Sequence, residues 1–436
     1  MCKIKVVSGS LDILAYFNNL LIFTLGMQLI KSSFWSGLSV AVRSLGSFLL
    51  NKIIAVYYGP SGLSLFSHFQ GLIAIFISIP VDGINPGVVR YLSAEDPKLQ
   101  ERRKIFSTSI FLSFLWTVIS SIIILFFGKQ IFKIFPFIKD FTSWYIPLLI
   151  VLPLQIISYL FLSFLVAAQK LKIYLFASIL NFILPLVIIL TGSSPAFRST
   201  LLFWAYSSVT GLLVSSLSVY KSGILKLYKP DLESIKKIGA FVLMASIILI
   251  FGKGTDYIIR QYIITNYSAH VAGLWQSGMK ISEYYTGGLV AIIGIMYFPQ
   301  ITRLLNDYDQ LRLYIRKVLF LFVPLIIGGL TLIYFFRPFF LQLFFDKEFI
   351  GASSLMHYIL LGDVFKLIAF FPAYLITAQT RTRLFVITEA SSAIVYLTCA
   401  FIFTRFMGVE GIPFAQFIRS VSYFILVFYL YRRIIF

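Results

Sequence analysis

Thirteen ionisable side chains fall inside stretches otherwise apolar enough to cross a bilayer. Arg43, Lys52, Asp82 and Arg90 lie in the first half of the chain. Lys253, Asp256, Arg260, Lys280, Glu283, Asp363, Lys366, Glu389 and Arg419 lie in the second. An ionised group at the centre of a membrane helix costs about 2.5–3.5 kcal/mol on insertion scales, so such residues face a bundle interior or a wet cavity. In "FGKGTDYIIRQYI" (251–263), Lys253, Asp256 and Arg260 are spaced i, i+3, i+7, on one helix face. Asp256 is expected to pair with Lys253 or Arg260, leaving one net positive charge. Gln276, Lys280, Glu283 and Gly287 form a second polar stripe, and Asp363 and Lys366 stand i, i+3. Intrahelical pairing that merely holds a bundle together is the plainer account of Lys280–Glu283 and Asp363–Lys366. Lys52 and Arg260 lie toward span ends, where long stems snorkel to the interface. Arg90 is expected at the cytoplasmic interface. Arg43 sits mid-span with no carboxylate three or four residues away.

The chemistry these types suit is the handling of an anion. Arg43, Lys253, Arg260 and Lys280 are the candidates to engage a phosphate or diphosphate. Asp256, Glu283, Asp363 and Glu389 are carboxylates able to exchange a proton or Na⁺. Lys52, Asp82, Lys366 and Arg419 are further candidates for a cavity wall. No metal site is expected. The chain has two cysteines, Cys2 and Cys399, and its histidines, His68, His270 and His357, show no ligand spacing. No nucleophile–base constellation appears either.

The elements that must position these groups are membrane helices. The 436-residue chain is 59% hydrophobic and 12% charged, against about 25% charged for soluble domains. Apolar runs of the roughly 20 residues a bilayer demands recur throughout, without the ten-residue alternation of a membrane β-barrel. Twelve spans are expected, near 33–57, 62–91, 105–127, 144–168, 172–191, 200–220, 238–263, 271–298, 314–336, 351–378, 383–404 and 411–431. Nineteen Lys and Arg fall in one set of connections and seven in the opposite set. Basic loops stay in the cytoplasm, which predicts a cytoplasmic C-terminus and makes the net charge of +20 a matter of topology rather than of nucleic-acid binding. Residues 1–30 form an apolar extension, open to three readings: an extra span, a signal-like segment, or an over-long start with Met27 as initiator.

The chain also repeats itself. "SGLSLFSHFQGL" (61–72) resembles "AGLWQSGMKISE" (272–283), and "AAQKLKIYLF" (167–176) resembles "TAQTRTRLFV" (377–386). The offsets are 211 and 210, and Lys104 with Lys317 gives 213. Each half then holds six spans, giving an N-lobe at 31–221, a linker at 222–237 and a C-lobe at 238–436. An even number of spans per repeat predicts a pseudo-twofold along the membrane normal with a substrate path between the lobes. Arg43 and Lys253 are 210 apart and are expected at similar depth, on opposite walls of that path. "SIPVDGINPG" (78–87) is expected to break or bend the second span and to place Asp82 and Asn85 in the break.

In order and spacing, "KIIAVYYGPSGLSLFSHFQGL" (52–72), "GLWQSGMKISEYY" (273–285), "FPQITRL" (298–304), "LLGDVFKL" (360–367) and "FVITEASS" (385–392) resemble the Wzx-type flippases of the MOP exporter superfamily. The O-antigen translocases and the lipid III flippase branch are the most similar. The resemblance runs from about Lys31 to Arg433. It implies an all-α, MATE-like fold, alternating access and a central cationic cavity in the bacterial inner membrane. The implied cargo is an undecaprenyl-diphosphate-linked oligosaccharide. Polymerase and chain-length proteins of the same pathway are the implied partners. Arg43, Lys52, Arg260, Glu283, Asp363, Lys366 and Glu389 match charged positions of that branch. Gln70 stands where the branch has an arginine and Lys280 where it has a small polar residue, while Lys253, Asp256 and Arg419 have no charged counterpart. Two rival readings remain at this point. A cation-coupled multidrug exporter would favour an acidic lining. A polysaccharide polymerase would be expected to need a large periplasmic loop, and the loops here are short.

Overall fold

The computed structural model describes residues 5–93, 99–133, 142–191, 197–226, 228–379 and 381–435, with the side chains of the extension at 1–30 outside that set. Its elements are helices. The first, α1, runs over residues 5–58 and turns at Gly59 (φ 63°, ψ −167°) into α2, residues 60–92. There follow α3 (Leu99–Phe132), α4 (Thr142–Ala167), α5 (Leu171–Thr191) and α6 (197–221). The second half repeats the plan with α7 (232–266), α8 (269–303), α9 (Tyr308–Phe335), α10 (Ser353–Ala378), α11 (Thr382–Met407) and α12 (Gly411–Leu430). Eight helical stretches are long and apolar enough to cross a membrane. Two of these, Ala41–Leu92 and Thr382–Leu430, are double-length, and each divides into two spans. The shorter α5 and the charge-bearing α8 complete twelve among the described residues. The chain is therefore a multi-pass membrane protein, as its sequence predicts.

Lipid exposure follows the same plan in both halves. The third helix of each is the most peripheral, and Phe126 on α3 and Phe320 and Phe335 on α9 turn outward. Apolar atoms on such faces meet acyl chains rather than water, so the hydrophobic pattern there is inverted relative to a soluble bundle.

The repeat shows in an irregularity. A π-helical turn interrupts α2 at Ile79–Ile84, and another interrupts α8 at Ile293–Tyr297. These are equivalent positions on the second helix of each half. The predicted break at 78–87 is therefore not a gap in the helix. Pro80 has no N–H for the carbonyl of Phe76. That carbonyl instead accepts from Trp116 Nε1 at 2.6 Å and Ser120 Oγ at 3.2 Å, both on α3. Asn85 N–H reaches back five residues to Pro80 O. The π register takes up the extra residue and the chain stays helical.

The two lobes meet along two seams. At the end bearing the α1–α2 and α7–α8 turns, α1 and α2 pack on α8. A Cβ on Gly273 would lie 1.9 Å from Pro60 O, so only glycine permits this approach. Ala55 and Leu63 of the N-lobe join the C-lobe core there. At the linker end, the π turn of α2 packs on α7, with Gly83 against the backbone of Phe241 and Val242.

Candidate functional site: two cavities at membrane depth

The interior polar space divides between the lobes. The N-lobe encloses a cavity of about 680 Å³ walled by α1, α2, α4, α5 and α6. Its charged lining residues are Arg43 and Arg90; no carboxylate lines it among the described residues. Arg43 lies 5.7 Å above the ring of Tyr174, and Arg90 lies 6.0 Å from that of Phe241 on α7. Neither guanidinium has an ion-pair partner among the described residues. The remaining polar lining is uncharged, with Gln70, Asn85, Gln155 and Asn181 among it, beside the rings of Tyr159, Tyr174, Phe182 and Trp204.

The C-lobe cavity is about half that size, near 340 Å³, and is charged. Asp256, Glu283 and Glu389 share it with Lys366 and Arg419. Arg419 Nε donates to Ser392 Oγ at 2.7 Å, with its guanidinium 5.3 Å from the ring of Tyr396. Asp363 stands behind this cavity and is fully buried. It accepts from the hydroxyls of Ser282 and Tyr285, and from Lys366 Nζ at 3.3 Å.

The predicted residues thus separate into distinct environments. Asp256 pairs with neither Lys253 nor Arg260, contrary to expectation. Lys253 Nζ instead crosses the lobe boundary to Asp82 Oδ2 at 2.5 Å. Arg260 is buried and also points across, donating from Nη1 to Ser67 O at 3.0 Å and from Nε to Gln276 Oε1 at 2.9 Å. The reason is reach. Lys and Arg carry their charge at the end of a long stem, so spacing along one helix fixes where the stem starts and not which partner the head finds. Arg260 consequently does not snorkel. Lys52, with its Nζ 2.8 Å from Leu343 O, also serves the contact between lobes. Lys280 pairs with Glu283 at 2.8 Å, the intrahelical bond its spacing predicts. Arg43 and Lys253 do not share a cavity wall, since Lys253 lines neither cavity. Arg90, expected at the cytoplasmic interface, is exposed in the last turn of α2 and also lines the N-lobe cavity.

Sequence reasoning missed most of the N-lobe lining. Gln155 and Asn181 carried a usable signal, because an amide within a membrane span is as much in need of a partner as a weak charge. Tyr159, Tyr174 and Trp204 carried none in a chain with 17% aromatic residues.

A two-lobed, multi-pass transporter is the class that this fold and these membrane-embedded cavities define. The solved structures agree on the fold. A multidrug-resistance MATE transporter of the MOP superfamily in an inward-facing conformation superposes with a TM-score of 0.69 at 17% identity, over 90% of this chain and 94% of that one. The lipid II flippase MurJ gives 0.69 at 13% identity, over 92% and 87%. In sequence, the lipid III flippase of Escherichia coli K12 is 23% identical over 427 residues, spanning 93% of this chain and all of that protein. A Shigella flexneri protein described as a candidate O-antigen transporter is 22% identical over 425 residues, spanning 93% and 98%. No protein-family model matches the chain. The chain has the MOP-superfamily fold and is similar in sequence to that superfamily's flippases of lipid-linked oligosaccharides.

Proposed function

We propose that the protein moves a polyprenyl-diphosphate-linked oligosaccharide, an O-antigen unit or a related glycan, between membrane leaflets by alternating access. The N-lobe cavity is the observation that carries this. It presents two guanidinium groups and no carboxylate. An unpaired guanidinium at the cavity wall attracts an anion, and its planar fork matches a phosphate in two-point contact. An organic cation would meet two like charges and no carboxylate there, with only aromatic faces to attract it, which argues against the drug-exporter alternative. The diphosphate is bound by Arg43 and Arg90, while the polyprenyl tail remains in lipid. The concentration of basic residues at the linker end supports a cytoplasmic position for that end and for the C-terminus, and with it outward transport.

Complementation of a flippase-null strain tests the assignment. Arg43→Ala with Arg90→Ala is expected to abolish surface polysaccharide at unchanged protein level. Lysine at both positions restores part of it, since a point charge replaces a fork. Full complementation by the double alanine variant would overturn the reading.

A further inference from the structure

We infer that the N-lobe cavity also contains the subsite that reads the saccharide, formed by Gln155, Asn181, Asn85 and the ring of Trp204. This rests on the flippase reading and assigns the cargo's sugar, as distinct from its diphosphate, to particular residues.

The hydrogen-bonding inventory of the wall makes the distinction. Gln155 is buried, and its Nε2 donates to Ala205 O at 2.8 Å. Its Oε1 is left buried without a donor among the described residues. Asn85, also more than nine-tenths buried, likewise has an unpartnered Oδ1. Asn181 is arranged the opposite way. Its Oδ1 is occupied by Thr210 Oγ1 at 2.5 Å and Gly211 N at 3.2 Å, which leaves its Nδ2 as the free donor of a side chain that lines the cavity. The wall therefore offers unmet acceptors and a donor together. A phosphate oxygen accepts and cannot satisfy Gln155 Oε1 or Asn85 Oδ1. A sugar hydroxyl donates and accepts, and it satisfies both kinds. A buried acceptor left unpaired is costly, so a ligand that supplies the missing O–H is selected over one that does not.

Trp204 supplies the apolar complement. Phe66 and Phe69 brace its ring edge-to-face, at centroid separations of 5.6 and 6.1 Å and interplanar angles of 78° and 72°. This rigid ring remains part of the cavity lining and provides a flat surface for the C–H face of a pyranose. A cavity of about 680 Å³ lies within the roughly 300–1,000 Å³ typical of small-ligand sites, and it is large enough for a sugar as well as the diphosphate. The C-lobe cavity carries five charged groups in half the volume, so its neutral groups, Gln416, Ser392, Ser420, Tyr396 and Tyr423, share the wall with those charges.

Equilibrium binding to the full-length protein in nanodiscs tests this. The probes are a short polyprenyl diphosphate and the same lipid carrying one hexose, N-acetylhexosamine or deoxyhexose. For the wild type, at least one glycosylated probe is expected to bind about tenfold more tightly than the bare lipid. Gln155→Met should reduce that ratio by roughly fivefold, the scale of one neutral hydrogen bond; Trp204→Leu should also reduce it through loss of the aromatic face, and Trp204→Phe should restore most of that loss. Arg43→Ala should weaken both probes and keep the ratio. If Gln155→Met does not fold, Asn181→Ala reads the same wall. A wild-type ratio near one, or a ratio unchanged in every N-lobe variant, overturns the saccharide subsite. Failure of the wild type to bind even the bare lipid would instead sink the flippase reading.

Discussion

Each ionisable residue within the spans has a partner, a cavity or both, and the difference decides its role. Asp363 illustrates a structural one. Its carboxylate is fully buried and receives Ser282, Tyr285 and Lys366. Removing it strands two hydroxyl donors in a space water does not reach, at about 1–3 kcal/mol for each buried group left unsatisfied. Asp363→Ala is therefore expected to lower the Tm of the detergent-purified protein by several degrees and to reduce its yield. Asp363→Asn, which keeps an acceptor oxygen, should lose clearly less. Equal stability of wild type and Asp363→Ala would show that the carboxylate acts in transport alone. Arg43 is the contrasting case, with a ring beside it and no carboxylate to hold it. Sequence alone singles it out, because the absence of a carboxylate three or four residues away is visible in the chain.

At the scale of elements, the ion pair between Asp82 and Lys253 joins the π turn of α2 to the end of the π turn Ile248–Lys253 in α7. Both side chains are little more than a quarter exposed. In the proposed alternating-access cycle the lobes would separate at one end while closing at the other, and this bond would be broken or remade each time. Reversing either charge places like charges in contact, a penalty of about 4 kcal/mol at 4 Å and an effective dielectric near 20. Asp82→Lys and Lys253→Asp are each expected to impair complementation. The double reversal should recover much of it, with a coupling of roughly 0.5–3 kcal/mol. A double variant no better than either single one would show that the pair has no part in the cycle. This contact also marks where the sequence stopped being informative. The membrane-spanning helices were legible, because a bilayer imposes length and apolarity on every helix that crosses it. Proline and glycine at 78–87 correctly signalled an irregular α2, but the turn's form depended on α3 supplying Trp116 and Ser120 to the freed carbonyl. Helical spacing offers Lys253 only Asp256 as a carboxylate neighbour, and leaves open whether Asp256 takes Lys253 or Arg260, because it describes neighbours on one helix. The actual partner of Lys253 is 171 residues away, a separation that only the packing of the lobes closes.

For the molecule as a whole, the division into two cavities separates tasks that a single central cavity would combine. The N-lobe cavity is cationic and otherwise neutral. The C-lobe cavity brings three carboxylates to two cations, and one of those cations, Lys366, is shared with Asp363. With every group ionised, it holds an excess of negative charge that one proton or one Na⁺ would offset. Binding there can influence cargo in the other lobe only by favouring one arrangement of the seams, where Arg260 and Lys253 reach across. Such linkage is a difference in affinity between two states, typically 1–3 kcal/mol, or about 5–150-fold. In proteoliposomes, flipping of a fluorescent polyprenyl-diphosphate glycan is accordingly expected to accelerate under a proton or Na⁺ gradient directed against cargo movement. Glu389→Gln removes one of the two carboxylates in that cavity that lack a cation bonded to them, the other being Asp256, and should abolish the acceleration. Arg43→Ala should lower the rate with and without the gradient, because it acts on cargo in the other lobe. A wild-type rate indifferent to both gradients would remove the coupling role from the C-lobe carboxylates and leave that cavity a structural one.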